Sequence, residues 1–268
     1  MTATPIPRTL TMTIYGDMDL SIIREKPNSR KPVKTYSKIE SKIEDVIKFI
    51  KKEIRLGNQI FWVCPLIEES KKIDHSSAVK KSEYLKKIFP NEVFLLHGKT
   101  TIEEKEKILN KFLKNEFKIL VSTTIIEVGI DFPNANVIII ENANKFGLSQ
   151  LHQLRGRVGR GNKESSCILM FKSNLSDNAK KRINILKVSN DGFEISEEDM
   201  KLRGFGDILG FKQSGIKNFK LADPIHNQDL FILAEKEIKR IENEKEDIGK
   251  FKPLIKLYDR ADIINDIA

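Results

Sequence analysis

Short apolar segments separated by helical patterns constrain the fold more than any other feature of this sequence. Each segment is four to six residues long and rich in β-branched or aromatic side chains. Strands that are apolar on both faces are typical of a parallel sheet covered by helices on both sides. The sequence therefore predicts a doubly wound α/β domain over residues 36–173. The segments predicted as its strands are Ile60–Cys64, Val93–Leu96, Phe117–Ser122, Val137–Ile140 and Cys167–Phe171.

The intervening segments carry helical periodicity and helix-start signals. Lys42–Leu56 repeats apolar residues at helical spacing, and Thr101–Glu104 has the capping-box pattern that opens a helix. We expect further helices over residues 174–190, with Val188 partly buried, and over Asn227–Glu244.

Composition bounds the class of protein. No segment approaches the roughly 20 apolar residues that span a bilayer, and the N-terminus lacks a secretory signal, so we expect no membrane association and a cytoplasmic location. The net charge of +9 favours a polyanionic partner, although most lysine pairs fall on predicted helices and are typical of solvated faces. Cys64 and Cys167 lie in apolar segments, which indicates buried thiols. The histidines have no partner at metal-ligand spacing, so no metal site is expected.

The segment Gln150–Gly161 is the most informative one for function. Interpreted as one helix, it has an apolar face and a polar face. The apolar face consists of Leu151, Leu154 and Val158. The polar face consists of Gln153, Arg157 and Arg160. Gly156 and Gly159 fall inside the segment, where each costs roughly 1 kcal/mol relative to alanine in a helix interior. Glycine lets a phosphate approach closely, and arginine donates bidentately to phosphate oxygens. The segment predicts a helix that presents arginines to a nucleotide polyphosphate, with a basic surface helix as the alternative.

Further candidate binding residues follow the predicted strands. In a doubly wound sheet the ligand site lies at the carboxyl ends of the strands. His97-Gly98-Lys99 follows one strand, and Thr123 and Thr124, which can offer hydroxyl and amide donors to a phosphate, follow the next. In the same loop, Gly129 permits close backbone approach, and Asp131 is a candidate for holding a ribose hydroxyl or orienting Arg157. For each loop taken alone, an ordinary turn between a strand and a helix is the alternative.

These motifs together resemble those of superfamily 2 helicases. Gln150–Gly161 resembles motif VI, in the form found in the RecG branch-migration helicases and in the related transcription-repair coupling translocase. Leu66–Glu69, the His97 turn and Thr123–Asp131 resemble motifs IV, IVa and V, in the order that the family requires. The resemblance implies the RecA-like fold of a second helicase motor domain for residues 36–173.

The resemblance also implies roles for individual residues. Arg160 is the candidate arginine finger and Arg157 the candidate γ-phosphate sensor, and both are counted as catalytic. The other nucleotide-binding candidates are Gln153, Gly129 and Asp131. The residues implied to face the nucleic-acid backbone are His97, Gly98, Lys99, Thr123 and Thr124.

Asp191–Gly215 resembles, without a gap, the translocation motif of both relatives, which is a helical hairpin followed by a loop. Arg203 and Gln213 match positions that tie the hairpin to the motor and couple it to duplex DNA. A helical cap on the domain is the alternative. We therefore expect residues 174–268 to form a helical translocation-motif region and a C-terminal tail.

Residues 1–35 resemble the end of a first motor domain. Thr2–Leu10 resembles motif III, and Lys26–Pro32 has the turn chemistry of an inter-domain linker. The sequence contains no G-x-x-x-x-G-K-[ST] phosphate loop and no Asp-Glu box upstream, so both Walker motifs are absent. We expect a truncated or split product that is inactive alone and carries half of an active site. ATP with Mg²⁺ would be bound mainly by the missing first motor domain.

The predicted function is that of the C-terminal motor half of an ATP-dependent double-stranded DNA translocase, which remodels replication forks and Holliday junctions in recombination and repair. The expected partners are branched double-stranded DNA and the missing N-terminal wedge and motor domain, and we expect a monomer. Tyr15–Leu20 and Trp62–Ser70 favour RecG over the coupling translocase. Two alternatives remain: a non-catalytic nucleic-acid-binding module, and a fragment of the coupling translocase that would engage RNA polymerase.

Overall fold

The computed structural model describes residues 31–65, 71–98, 100–123, 132–161, 163–203, 227–244, 248–253 and 256. Residues 22–202 belong to the first of two compact units, and residues 203–268 belong to the second. Within the described ranges, no helix combines the length and the apolar character needed to cross a bilayer.

The first unit is built on a parallel sheet whose described strands number six. The strand order is β1-β6-β5-β2-β4-β3, and every neighbouring pair is parallel. This confirms the predicted doubly wound α/β class. The strands are β1 Lys34–Ile39, β2 Gln59–Val63, β3 Val93–Leu96, β4 Ile119–Ser122, β5 Ala135–Ile140 and β6 Ser166–Phe171.

The described helices are α1 Ile43–Arg55, α2 Lys71–Ile88, α3 Ile102–Leu113, α4 Leu148–Arg155, α5 Asp177–Val188, α6 Gly192–Arg203 and α7 Gln228–Asn243. The first four connect successive strands, except that the described residues between β4 and β5 contain no helix, and the last three follow β6. Short 3-10 turns precede α1 and α4 and follow α7, at Glu40–Lys42, Ala143–Lys145 and Ile248–Phe251.

Apolar side chains of the strands alternate between two cores, one on each face of the sheet. In β2, Phe61 and Val63 pack with α3, α4 and α5, whereas Ile60 and Trp62 pack with α1 and α2. All four side chains are fully buried. Because both faces are covered, the inner strands are apolar at most positions, and this is the pattern that predicted them.

The capping box at Thr101 is confirmed by reciprocal hydrogen bonds. The Glu104 amide donates to Thr101 Oγ1 at 3.3 Å, and the Thr101 amide donates to Glu104 Oε2 at 3.3 Å. The expectation for Val188 was wrong, because this side chain is 76% exposed. Val188 lies two residues after the buried Leu186, about 200° further around α5, and so faces away from the core.

Candidate functional site

Helix α4 carries the first half of the arginine-rich segment and ends before the two arginines predicted to bind nucleotide. The Gly156 amide donates to His152 O at 3.0 Å, which completes the last helical turn. The next two bonds, from Arg157 to Leu154 O and from Val158 to Arg155 O, span only three residues. The chain therefore tightens and leaves the helix after Arg155. The prediction of one helix over residues 150–161 was wrong, and Arg157 and Arg160 lie on the loop that follows α4.

This loop, residues 156–165, which we call the arginine loop, packs against the sheet through its glycines. Gly159 has a left-handed φ of 75°, and a Cβ atom there would lie 3.0 Å from Val33 Cγ2. A Cβ atom at Gly161 would lie 3.0 Å from the carbonyl oxygen of Pro133. Val33 immediately precedes β1, and Pro133 lies just before β5. The arginine loop is therefore fixed at the edge of the sheet where the strands begin.

Arg157 and Arg160 are both carried by this loop, and their positive charges repel each other. Arg157 is half-buried and Arg160 is exposed. Burial is the main cause that lowers the pKa of Arg157, and the positive charge of Arg160 lowers this pKa further. An anion between the two guanidiniums would relieve their repulsion and accept their hydrogen bonds, so the pair is chemically suited to a polyphosphate. Gln153 is exposed on α4, and Gly129 and Asp131 lie outside the described residues.

His97, Gly98 and Thr123 lie at the opposite edge, where β3 and β4 end. These strands are neighbours, with Leu96 opposite Ser122. The Thr123 amide donates to Leu96 O at 3.3 Å, and the His97 amide donates to Thr100 Oγ1 at 3.2 Å. The structure thus brings these residues together. The Thr123 side chain is only 4% exposed and its amide is bonded within the sheet, so this amide is not the free phosphate donor that the sequence suggested.

Gly98 is exposed and its surroundings are open, with nothing within 4 Å of an added Cβ atom. Lys99 and Thr124 lie outside the described residues. Because all strands of a parallel sheet run in one direction, the His97–Thr123 edge and the arginine loop lie at opposite ends of the strands. Among the described residues, the structure therefore places His97, Gly98 and Thr123 at one edge of the sheet and the arginine loop at the other.

An ion pair between the half-buried Lys81 and the buried Glu141 lies at the carboxyl edge of the central strands. Lys81 Nζ on α2 lies 2.7 Å from Glu141 Oε1, which directly follows β5, and 5.4 Å from the centroid of the Trp62 ring. The thiol of Cys64 lies 3.6 Å from Glu141 Oε2. Burial, and then the Glu141 carboxylate, raise the pKa of Cys64. This thiol stays protonated near neutral pH and is a structural group rather than a nucleophile.

Arg155 is a structural residue that the sequence reasoning missed. It is only 3% exposed, and its Nη1 donates to Leu186 O and Ser189 O at 2.8 Å each. These carbonyls lie at the C-terminal end of α5, where a cation is favoured by the helix dipole. Burial is the main cause that lowers the pKa of Arg155. A signal was present in the sequence, because Arg155 follows Leu151 by four residues and shares its apolar face.

Helix α6 is held to α4 and to the end of α5 by short hydrogen bonds. Ser149 Oγ donates to Asp199 Oδ2 at 2.6 Å, and Ser189 Oγ donates to Glu194 Oε2 at 2.5 Å. Arg203 is the last residue of α6, with its side chain outside the described set, and Gln213 lies outside the described residues. The start of the predicted translocation motif is thus joined to the helix that leads into the arginine loop.

Two family models match the chain. Residues 41–162 match the helicase conserved C-terminal domain, and residues 189–257 match the C-terminal part of domain 3 of the ATP-dependent DNA helicase RecG. Within the described residues, no cluster of three or more His, Cys, Asp or Glu residues is suited to holding a metal ion.

Full-length relatives and one solved structure agree with these matches. The chain is 48% identical over 229 residues to the ATP-dependent DNA helicase RecG of Bacillus subtilis, covering 85% of this chain and 33% of that protein. It is also 48% identical over 236 residues to RecG of Synechocystis, covering 87% of this chain and 28% of that protein. A solved structure of RecG bound to a three-way DNA junction is similar with a TM-score of 0.68 and 43% identity, over 85% of this chain and 30% of that one. The chain spans about a third of the length of the curated relatives that it matches.

Proposed function

The chain belongs to the RecG family of helicases, as its C-terminal portion, and we propose that it is the C-terminal motor half of an ATP-dependent double-stranded DNA translocase. In this proposal the completed motor remodels replication forks and Holliday junctions in recombination and repair. The observation that supports it is the arginine loop, which carries both Arg157 and Arg160 and packs through its glycines at the edge of the sheet where the strands begin. The division into residues 1–35, 36–173 and 174–268, the cytoplasmic location and the monomeric state remain predictions.

The nucleotide role of this chain follows from its donors. ATP with Mg²⁺ supplies the phosphoryl group and is held mainly by the first motor domain, outside the region matched here. Arg160 is exposed, and we assign it the role of arginine finger. Such a group increases the rate by roughly 10³–10⁵ because it stabilises charge on a transferring phosphoryl group. Arg157 is more buried and is held by the turn that ends α4, which suits a sensor that orients one phosphate. Gln153, Gly129 and Asp131 are proposed as supporting contacts.

The DNA role is proposed for the opposite edge of the sheet. His97, Gly98 and Thr123 lie where β3 and β4 end, and Lys99 and Thr124 adjoin them in the sequence. The RecG structure that resembles this chain is bound to a three-way DNA junction, which supports branched DNA as the partner. In this proposal nucleotide binds at one edge of the sheet and DNA at the other, and closure on nucleotide drives movement along DNA.

Transmission to the translocation motif is proposed to pass through α6. Ser149 lies in the first turn of α4 and bonds Asp199 of α6, while the other end of α4 leads into the arginine loop. A shift of α4 on nucleotide binding would therefore displace α6 and the segment that follows it. Arg203 and Gln213 keep their proposed role of coupling that displacement to duplex DNA.

A reconstitution experiment tests the nucleotide role. The chain alone is expected to show no DNA-stimulated ATP hydrolysis, and hydrolysis is expected to return when the N-terminal part of a RecG relative is added together with three-way junction DNA. Arg160→Ala is expected to lower the hydrolysis rate of the mixture by about 10³ or more, with junction binding retained. The matched control is Lys180→Ala, which removes an exposed cation of α5 paired with Asp177, and we expect a change of less than about twofold, since exposed ion pairs contribute little.

The outcomes separate the proposal from its alternatives. Hydrolysis by the chain alone at the rate of the mixture would refute the half-site proposal. If no hydrolysis is restored by the N-terminal part while junction binding persists, the chain is a non-catalytic binding module. If Arg160→Ala and Lys180→Ala behave alike, Arg160 is not the finger.

Salt dependence tests the DNA role. Contacts to the phosphate backbone release counterions, so junction affinity measured by fluorescence anisotropy should fall at least tenfold, on the order of the loss expected for a few phosphate contacts, between 50 and 200 mM salt. Affinity that is constant over this range would contradict backbone recognition at this edge.

A further inference from the structure

Three buried polar side chains form a hydrogen-bonded chain across the edge of the sheet where the strands begin. Asn136 in β5 is fully buried, and its partners Asn58 and Ser165 are 6% and 2% exposed. Asn136 Nδ2 donates to Asn58 Oδ1 at 2.9 Å, and Ser165 Oγ donates to Asn136 Oδ1 at 3.2 Å. These hydrogen bonds thus link the residue before β2, the second residue of β5 and the residue before β6.

This chain of side chains is an unusual feature in an otherwise apolar sheet. Asn136 is the only polar residue of β5, whose sequence is Ala-Asn-Val-Ile-Ile-Ile. A buried amide is unfavourable unless its hydrogen bonds are made, and here both ends of the side chain are bonded. Asn58 is satisfied in turn, because its Nδ2 donates to Glu53 Oε2 at 2.6 Å. An apolar residue at position 136 would remove the bonds to both Asn58 and Ser165, so the amide fixes the positions of these two residues relative to β5.

The chain of bonds ends in the arginine loop. A Cβ atom at Gly159 would lie 3.0 Å from Val33 Cγ2 and 3.5 Å from Ser165 Cβ and Oγ, so Gly159 packs on Val33 and on the serine that Asn136 holds. Lys163, also in the arginine loop, donates from Nζ to Asn58 Oδ1 at 3.4 Å. Arg160 is the next residue after Gly159.

We propose that Asn136 is a positioning residue for Arg160, acting through Ser165 and Asn58 to fix the seat of the arginine loop. The proposal rests on the proposed function of Arg160 as the arginine finger. Asn136 itself reaches no nucleotide in this proposal. Its amide sets where Ser165 lies, Ser165 sets where Gly159 rests, and Gly159 sets where the backbone of Arg160 begins.

A small displacement of a group that acts in the transition state is costly, since about 1 Å of misplacement can lower a rate by roughly 10². We therefore expect Asn136→Ala to lower kcat for ATP hydrolysis by about tenfold to a hundredfold. An arginine finger stabilises charge that develops only in the transition state, so KM for ATP should stay within about twofold. Ser165→Ala removes a hydrogen bond of the same side-chain network and leaves a smaller cavity. This variant provides the test if Asn136→Ala fails to fold.

The experiment uses the full chain mixed with the N-terminal part of a RecG relative and three-way junction DNA. The matched control is Gln59→Ala. Gln59 is a buried amide at the same edge, but its Nε2 donates to Phe112 O at 2.6 Å and to Phe117 O at 2.9 Å, neither of which belongs to the arginine loop. We expect Gln59→Ala to lower Tm at least as much as Ser165→Ala, while its kcat stays within about twofold of the parent, since the lost bonds are structural.

Combination with Arg160→Ala completes the test. If Asn136 acts through Arg160, adding Asn136→Ala to Arg160→Ala should lower kcat no further, because interacting groups are not additive. If Asn136→Ala and Ser165→Ala lower kcat only as much as Gln59→Ala does, the positioning role is overturned. If Arg160→Ala itself leaves kcat unchanged, the proposed function fails first, and the two failures are distinguishable.

Discussion

Replacing Arg155 by methionine tests whether a buried cation holds α4 against α5. Methionine keeps an unbranched stem, so the substitution removes mainly the guanidinium and little of the packing. That group donates to Leu186 O and Ser189 O at 2.8 Å each. Both carbonyls would lose their partner in a place that water reaches poorly, because Leu186 is 1% exposed and Ser189 is 6% exposed.

The expected loss of stability is a balance of two terms. Hydrogen bonds from a charged group contribute about 1.5–3 kcal/mol each, so two of them contribute about 3–6 kcal/mol. Burial of the guanidinium opposes this contribution, as the lowered pKa of Arg155 indicates. We expect a net loss of about 3 kcal/mol in the free energy of unfolding for Arg155→Met, which corresponds to a fall in Tm of about 6–12 °C for a chain of this size.

The assay is urea and thermal unfolding followed by circular dichroism at 222 nm. The control is Lys187→Met, which removes an exposed cation from the last turn of the same helix, α5, and should change stability by less than about 0.5 kcal/mol. An unchanged m-value is needed for the comparison. If Arg155→Met and Lys187→Met unfold at the same urea concentration, the argument that Arg155 fixes the end of α5 is wrong.

Two further predictions concern close packing and a buried thiol. Gly161→Ala should lower the free energy of unfolding by about 1–2 kcal/mol, since the added Cβ would meet Pro133 O at 3.0 Å. The control Gly98→Ala should leave it unchanged, because nothing lies within 4 Å of the added Cβ. Equal Tm values for the two variants would contradict this prediction. Burial raises the pKa of Cys167 from 9.0 to about 12. The unfolded chain therefore loses this proton first, and between these two pKa values the thiol lowers stability by about 1.4 kcal/mol per pH unit as pH rises. Urea unfolding at pH 8, 9 and 10 should give a shallower decline for Cys167→Ala, and an identical decline would show that the thiol does not contribute.

The parallel sheet could be predicted from the sequence because its signal is local. In β5, five of six residues are apolar, and in β2 the side chains alternate between two cores. The composition of these two strands is therefore enough to predict that they are buried. The capping box at Thr101 is equally local, since both partners lie within three residues. β1 was missed for the opposite reason. It is an edge strand with the sequence Lys-Thr-Tyr-Ser-Lys-Ile, whose residues are exposed or half-buried, and only its pairing with β6 identifies it.

The residues assigned to nucleotide and to DNA remain predictions, but the places of some of them in the fold can be compared with what chain order implies. Strand-following loops such as the one at His97 can be placed from chain order, because a loop after a parallel strand must lie at its carboxyl end. The arginine loop directly precedes β6, so the same argument places it at the amino end of that strand, whereas the sequence reasoning looked for the ligand site at the carboxyl ends. Asn136 gave no functional signal, since its partners Asn58 and Ser165 are 78 and 29 residues away in the sequence.

For Gln150–Gly161, the prediction of a continuous helical backbone was wrong, but the prediction of which side chains are buried was confirmed. Leu151, Leu154 and Val158 are all buried as the helical spacing predicted, but Val158 reaches the core from the turn after α4. Apolar spacing therefore identifies which side chains the core takes, while the backbone path is decided by contacts that spacing does not contain. Here those contacts are the packing of Gly159 and Gly161 against residues that lie just before β1, β5 and β6. A helix would have fixed the arginines by local hydrogen bonds alone. Because Arg160 lies on a loop, the position of Arg160 depends on the strands against which the loop packs. Substitutions in those strands should therefore change the rate of ATP hydrolysis even though the substituted residues do not contact nucleotide.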